Sequence, residues 1–378
     1  MADIPEHIAV KMAELEAQNQ LRSLRLPIPG QVDLTSNDYL GLARRRGLET
    51  AALGSGGSRL LTGHHAVHAA LEEECADLFE MESALLYSTG YMANVGLLSA
   101  IGGREGIFVH DELIHASLRD GLRLARGSVH RYRHQDYADL DRQLAELGPG
   151  CFVVTEALFS MDGDLLDLAR LCAVTERHHA WLIVDEAHST GLYGPKGAGW
   201  VLDQGYGNRV WMRIHTFGKS VGRHGAVVVG PQVVRDFLIN RSRTVIYSTA
   251  MPPDQVVQIH WALREMQPMA TERSHLLALR RHLEVRMNAI PEIAVPRSDS
   301  PIIPVIIPGN ERVKSAAEAL QASGFDVRPI LAPTVARGTE RLRIILHSYN
   351  TIEEVDRLVD ALQTWQRQQG VLEFSGSN

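Results

Sequence analysis

Trp181-Leu182-Ile183-Val184-Asp185-Glu186-Ala187-His188 opens as an apolar run and ends in a carboxylate, with Glu186 and His188 just beyond. A short continuous apolar run reads as a strand buried on both faces, which belongs to a parallel sheet. In an open α/β sheet, ligands bind outside the carboxyl ends of the strands. A desolvated aspartate there is costly unless it meets a cation. Asp185–His188 also spell Asp-Glu-Ala-His, the acidic box of a helicase ATPase. That reading requires a preceding G-x-x-x-x-G-K-[ST]. The one Gly-Lys-Ser, Gly218-Lys219-Ser220, follows the box, and Arg213 stands where the first glycine belongs. The helicase reading is therefore set aside.

A protonated heterocyclic nitrogen is the other partner for Asp185. Pyridoxal phosphate supplies one, together with an aldehyde that needs a lysine. Lys219 lies 34 residues after Asp185, in His215-Thr216-Phe217-Gly218-Lys219-Ser220-Val221-Gly222, directly after the apolar run Val210–Ile214. A lysine in a glycine-rich turn is by default solvated; the aspartate at a neighbouring strand end reverses that. A phosphate needs a cradle as well. Thr89-Gly90-Tyr91 sits at a strand-to-helix turn, where free N–H groups bind anions, although Ser88 and Thr89 are also ordinary N-caps. His115 opens another helix, either as a ring to stack on a cofactor or as a cap. Ser160 lies in the turn Phe159-Ser160-Met161-Asp162-Gly163.

Outward from this centre the same alternation recurs. Strands at 84–87, 106–109, 151–155, 181–184, 210–216 and 226–229 alternate with helices at 90–101, 117–125 and 165–176. The pattern is a largely parallel sheet covered on both faces. Residues 5–22 have the spacing of a helical arm, stopped by Pro27, Pro29 and Gly30. After Met251-Pro252-Pro253 a glycine-free helix is expected over 254–287, then 302–307, a helix at 313–322, 342–346 and a last helix at 352–366. This assigns a helical arm at 1–35, a large domain at 36–270, a small α+β domain at 271–370 and a polar tail at 371–378.

Composition closes other classes. The charge balance of 38 basic against 45 acidic residues, net −7, gives no basic footprint for nucleic acid. No run is long and apolar enough for a membrane span, and residues 1–20 lack a signal peptide's apolar core, so the cytoplasm is the expected location. Three scattered cysteines, Cys75, Cys151 and Cys172, form neither a disulfide framework nor a zinc motif and read as buried thiols. His64, His65 and His68 have ligand-like spacing but no carboxylate completes a metal motif. No metal is expected. Arg44–Arg46 read as a solvated face or as an attraction for an acidic carrier or a CoA phosphate.

The chain resembles the α-oxoamine synthase family of pyridoxal-phosphate enzymes from about Leu21 to Leu362. The segments that carry the resemblance are Ser36-Asn37-Asp38-Tyr39-Leu40-Gly41-Leu42, 54–63, Gly90-Tyr91-Met92-Ala93-Asn94, His115-Ala116-Ser117-Leu118, 159–163, 184–191, 216–222, Tyr247-Ser248-Thr249-Ala250-Met251-Pro252-Pro253 and 338–343. It implies a fold type I, aspartate-aminotransferase-like transferase with the cofactor covalently on Lys219. By the same resemblance, Asp185 partners the ring nitrogen, His188 contacts the ring hydroxyl and His115 stacks on the ring. Gly90, Tyr91, Ser160 and Thr216 contact the cofactor. Ser248 and Thr249 reach a phosphate across a homodimer interface. Arg343 clamps the amino-acid carboxylate, and Arg22, Asn37 and Thr334 contact substrate. Departures are a short segment between Leu42 and Gly54, Arg59 where some relatives carry glycine, and a longer run at 327–334. The implied reaction is decarboxylative condensation of an amino acid with an acyl-CoA or acyl-carrier-protein thioester. L-alanine with a pimeloyl thioester is the implied pair; glycine with acetyl-CoA and serine with a long acyl-CoA are alternatives. A non-catalytic subunit of the same fold is the rival of a different class, and the presence of Lys219 argues against it.

Overall fold

The computed structural model describes residues 13, 14, 16–18, 28, 30–42, 45, 54–290, 293, 295, 296 and 298–375. Its strands, in chain order, are β1 (Val32–Asp33), β2 (Ser83–Tyr87), β3 (Ile107–Asp111), β4 (Ser128–Tyr132), β5 (Phe152–Glu156), β6 (Trp181–Asp185), β7 (Met212–Thr216), β8 (Ala226–Gly230), β9 (Ile302–Ile306), β10 (Phe325–Asp326), β11 (Arg328–Ile330) and β12 (Arg341–Ile345). Seven of them form one sheet in the order β2-β8-β7-β6-β5-β3-β4. Only β8 runs against its neighbours in that sheet; β7, β6, β5, β3 and β4 are parallel.

Parallel strands need covered faces, and the buried side chains show both covers. Val154, Ile183 and Ile214 pack on one side against Ala93, Leu97, Leu118 and Leu122 from the helices Gly90–Ile101 and Ala116–Leu124. Val153, Leu182 and Val184 pack on the other against Leu140, Leu144 and Leu171. The register sets Glu156 beside Asp185 and Asp185 beside Ile214, so two carboxylates end adjacent strands.

A second sheet, β11-β12-β9, is antiparallel and packs with the helices Asn310–Ala322 and Ile352–Ser375 around Ile303, Val305, Leu320, Leu342, Ile344 and Leu358. Leu34 and Tyr39 join this core from the N-terminal segment, and β1 pairs in parallel with β10, Val32 opposite Phe325.

The glycine-free stretch expected as one helix over 254–287 is two, Pro253–Met266 and Ala270–Met287. Pro268 lies between them; it has no N–H to donate and its ring clashes with the turn before it. The last helix, expected to stop at 366, continues to Ser375, into the polar stretch. Elements that escaped the pattern include β4 and the helices Ala66–Leu78, Tyr137–Leu147 and Gln232–Arg241. The expected helix at 5–22 falls mostly outside the described residues, as does most of 43–53. All three cysteines are free and buried. Among the described residues no helix is long and apolar enough to cross a membrane.

Candidate active site

The carboxyl ends of the parallel strands open into a cavity of about 290 Å³. Asp185, Glu156, His115, His188, Thr216 and Lys219 all line it, with Thr89, Gly90, Tyr91 and Asn37. They reach it from different strand ends and helix starts, which is what the strand order dictates.

Asp185 is buried at 6 % exposure. Its Oδ2 accepts from Asn94 Nδ2 at 2.8 Å and its Oδ1 from the Ala187 N–H at 2.9 Å. Glu156 is also buried, and its Oε1 accepts the main-chain N–H of His115. Burial, followed by the charge of Asp185, pushes the Glu156 carboxyl up to about 8. Burial brings the Lys219 ammonium down to about 8, against the pull of Asp185 and Glu156. Lys219 thus gives up its proton far more readily than an ordinary lysine, as a lysine that attacks carbonyls must.

His115 is the N-cap of Ala116–Leu124, with Nδ1 2.7 Å from Ser117 Oγ. Burial lowers its basicity, Asp185 opposes this, and Lys219 adds to the lowering. His188 is buried and held well below the usual histidine range, first by burial and then by Lys219 and Arg343. Its Nδ1 lies 2.8 Å from the Tyr39 hydroxyl.

At the helix Gly90–Ile101, Thr89 caps the Met92 N–H at 3.0 Å. The first N–H groups of a helix have no intrahelical acceptor and favour an anion. A Cβ at Gly90 would lie 2.5 Å from Thr216 Cγ2, so a side chain would fill the cradle. Tyr91 is exposed at the rim and donates to Asp120.

Arg341 and Arg343 leave β12 on one side and Leu342 is buried on the other. Arg341 pairs with Asp162. Arg343 donates from Nε to the Ser160 carbonyl at 2.6 Å and from Nη2 to Asn37 Oδ1 at 3.1 Å. Among the described residues it has no carboxylate partner, although it is only half-buried.

Other expected site residues lie apart. Ser160 meets this constellation through its carbonyl. Ser248 and Thr249 line a separate small cavity with Ser88, Thr244 and Arg59, and Thr249 bridges to Ser58. Thr334 is exposed on a turn away from the residues lining the main cavity. Arg22 lies outside the described residues. His68 is buried with Nε2 on the Met251 carbonyl at 2.9 Å, and His64 accepts from Arg59. Arg59 itself pairs with the buried Glu72. Arg45, from the basic run, faces Glu265 and Glu272.

Among the lining or supporting residues that went unassigned in the sequence are Asn94, Glu156 and Tyr39. Glu156 obeys the same rule as Asp185, since Phe152-Val153-Val154-Thr155-Glu156 is also an apolar run ending in a carboxylate. Asn94 is one helical turn after Gly90 and shares its face.

Pyridoxal phosphate fits these groups. Asp185 offers an anchored carboxylate, Lys219 an amine of lowered basicity, and Gly90 an anion cradle. Asn94 Oδ1 is buried without a partner among the described residues and awaits a donor.

The comparisons with known proteins agree with this geometry. Residues 29–362 match the model of the family "Aminotransferase class I and II". The chain is 41% identical over 336 residues to the 8-amino-7-oxononanoate synthase of Marinobacter nauticus, covering 86% of this chain and 85% of that one. Its fold matches the serine palmitoyltransferase of Sphingomonas wittichii with a TM-score of 0.90 at 27% identity, over 98% of this chain and 100% of that one. A single-substitution variant of the serine palmitoyltransferase of S. paucimobilis, solved with a bound PLP–myriocin aldimine, matches with a TM-score of 0.87 at 27% identity, over 97% of this chain and 98% of that one. A match that runs unbroken from the first strands to the last helix, with a lysine and an aspartate at the strand ends, leaves one conclusion: the chain belongs to the aminotransferase class I and II family.

Proposed function

We propose that this protein is a pyridoxal-phosphate acyltransferase that condenses L-alanine with a pimeloyl thioester, on CoA or a carrier protein, to give 8-amino-7-oxononanoate, carbon dioxide and the free thiol. The observation that carries the reading is the gathering of Lys219, Asp185 and His115 around one cavity, with Arg343 near it and without a carboxylate partner among the described residues. The likeness to 8-amino-7-oxononanoate synthase supports the substrate pair.

Bound pyridoxal phosphate supplies an electron sink that stabilises negative charge on the amino acid's α-carbon. Lys219 would hold the cofactor's aldehyde, and its amine of lowered basicity could take and return a proton at Nζ. Asp185, fixed by Asn94 and the Ala187 N–H, would set its carboxylate toward the ring nitrogen. His115, His188 and Thr216, which line the cavity, would hold the ring. Gly90 and Tyr91, at the helix N-terminus, would hold the phosphate. Arg343 orients the amino-acid carboxylate, with Asn37 and Ser160 fixing the guanidinium.

The proposal includes a cytoplasmic homodimer in which Ser248 and Thr249 reach the phosphate of the partner subunit's site. Their position in a cavity of their own, tied to the glycine-rich loop by the Ser58–Thr249 bridge and the Ala250 N–H to Gly57 carbonyl bond of 2.9 Å, supports this. A second reading, serine with a long acyl thioester, draws on the likeness to serine palmitoyltransferases. A matrix of alanine, glycine and serine against acetyl, pimeloyl and palmitoyl thioesters, scored by thiol release and product mass, separates the readings. Alanine with the pimeloyl thioester is expected to give the highest kcat/KM; a higher value for serine with palmitoyl thioester would replace the first reading with the second.

A further inference from the structure

Tyr39 stands in Ser36-Asn37-Asp38-Tyr39-Leu40-Gly41, a stretch that the reaction as described uses only through Asn37. It is fully buried, at 0 % exposure. Its hydroxyl lies 2.8 Å from His188 Nδ1 and 3.2 Å from Asn37 Oδ1, and the Arg343 charge acts on the same oxygen. The phenol and imidazole rings meet edge to face, with centroids 6.4 Å apart. Asn37 Oδ1 in turn accepts Arg343 Nη2 at 3.1 Å. The phenolic oxygen therefore touches the histidine that lines the cavity and, through Asn37 Oδ1, joins the carboxylate clamp.

We propose that Tyr39 is a positioning residue that holds His188 in the tautomer with its hydrogen on Nε2, facing the cavity, and ties that ring to the Arg343 clamp. A count of hydrogens leads there. The phenol has a single hydrogen and two acceptors within reach. Asn37 Oδ1 already accepts from Arg343 and stands at the longer distance. His188 Nδ1 stands at the shorter one, and the phenolic hydrogen goes there. A neutral imidazole that accepts at Nδ1 carries its hydrogen on Nε2. Burial and the cations Lys219 and Arg343 keep the ring neutral. The same cations favour a lone pair on the side of Arg343 over an N–H there. His188 thus presents a donor to the cavity, suited to an anionic oxygen on the bound ring. The assignment rests on the cofactor reading given above, but the tautomer itself is a property of this chain.

The test uses the full-length chain loaded with pyridoxal phosphate and labelled with ¹⁵N in its histidines, of which there are 17. Long-range ¹H–¹⁵N correlation spectra report which ring nitrogen carries hydrogen, and the difference from His188→Asn identifies the His188 signals. The wild type is expected to show the hydrogen on Nε2. Tyr39→Phe keeps the buried ring that packs with Leu34, and is expected to lose the single tautomer and to raise the amino-acid KM about fivefold, the effect of one lost hydrogen bond. The acyl-thioester KM should stay within about twofold of wild type. In a His188→Gln background, Tyr39→Phe should add less than about threefold to the amino-acid KM, because the two act together. A wild-type signal with hydrogen on Nδ1 overturns the proposal, as do fully additive effects of the two substitutions. The wild-type spectrum needs no variant of Tyr39 to fold. It is read whichever substrate pair proves best, so this inference and the substrate reading fail separately.

Discussion

Replacing Arg343 by alanine removes the group placed to receive the amino-acid carboxylate. In the structure Arg343 spends two donors on neutral oxygens, the Ser160 carbonyl at 2.6 Å and Asn37 Oδ1 at 3.1 Å. Its charge meets no carboxylate among the described residues, unlike that of Arg341, which is bonded to Asp162. Truncating one member of a buried charge pair costs about 2–5 kcal/mol. Arg343 is half-buried, so solvent screening puts the value near the lower end, about 2–3 kcal/mol. That corresponds to roughly a 30- to 150-fold rise in KM for the amino acid. The acyl-thioester KM should move little, because that substrate lies on the other side of the reacting carbon. Arg343→Lys should recover part of the loss, since it keeps the charge but not the planar fork. The assay is steady-state thiol release with each substrate varied against saturating partner. An amino-acid KM unchanged in a folded, cofactor-loaded Arg343→Ala would refute the clamp.

Asp185→Asn should lower α-proton exchange by one to several powers of ten, because an amide gives up the charge that keeps a ring nitrogen protonated, each pKa unit being about 1.4 kcal/mol; near-normal exchange would exclude the role. Glu156→Gln should raise the melting temperature by an amount that grows with pH. The Glu156 carboxyl is lifted to about 8 in the folded chain, so its contribution is intact below the ordinary carboxylate range of about 4–5 and is lost as pH climbs through the folded value. The two melting curves should coincide in acid and diverge toward alkaline pH, and a constant offset would contradict this. Thr249→Ala should weaken cofactor retention without unfolding the chain, and sedimentation under assay conditions should find a dimer; a fully active monomer would rule out the shared site.

The central strands were legible because burial on both faces makes them nearly continuous apolar runs, as in Phe152–Glu156, Trp181–Asp185 and Ala226–Gly230. β4 was not, since Ser128-Val129-His130-Arg131-Tyr132 is an edge strand with three of its five side chains exposed, and its sequence carries an edge's polarity. The break at Pro268 was legible in principle, as proline ends helices, but the apolar spacing on either side runs through it. Asp185 and Lys219 could be paired from strand ends alone. The role of Tyr39 could not, because its hydroxyl meets His188 across 149 positions. Such contacts follow from tertiary packing and leave no local spacing to read.

The most direct test of the account asks where the cofactor sits. Borohydride reduction of the loaded protein, followed by proteolysis and peptide mapping, should place a single pyridoxyl group on Lys219, in the peptide containing Phe217–Ser220. Lys219→Ala should take up no reducible label while keeping its fold. Label on another lysine, or equal labelling of Lys219→Ala, would contradict the assignment of Lys219 and with it the reading of the site.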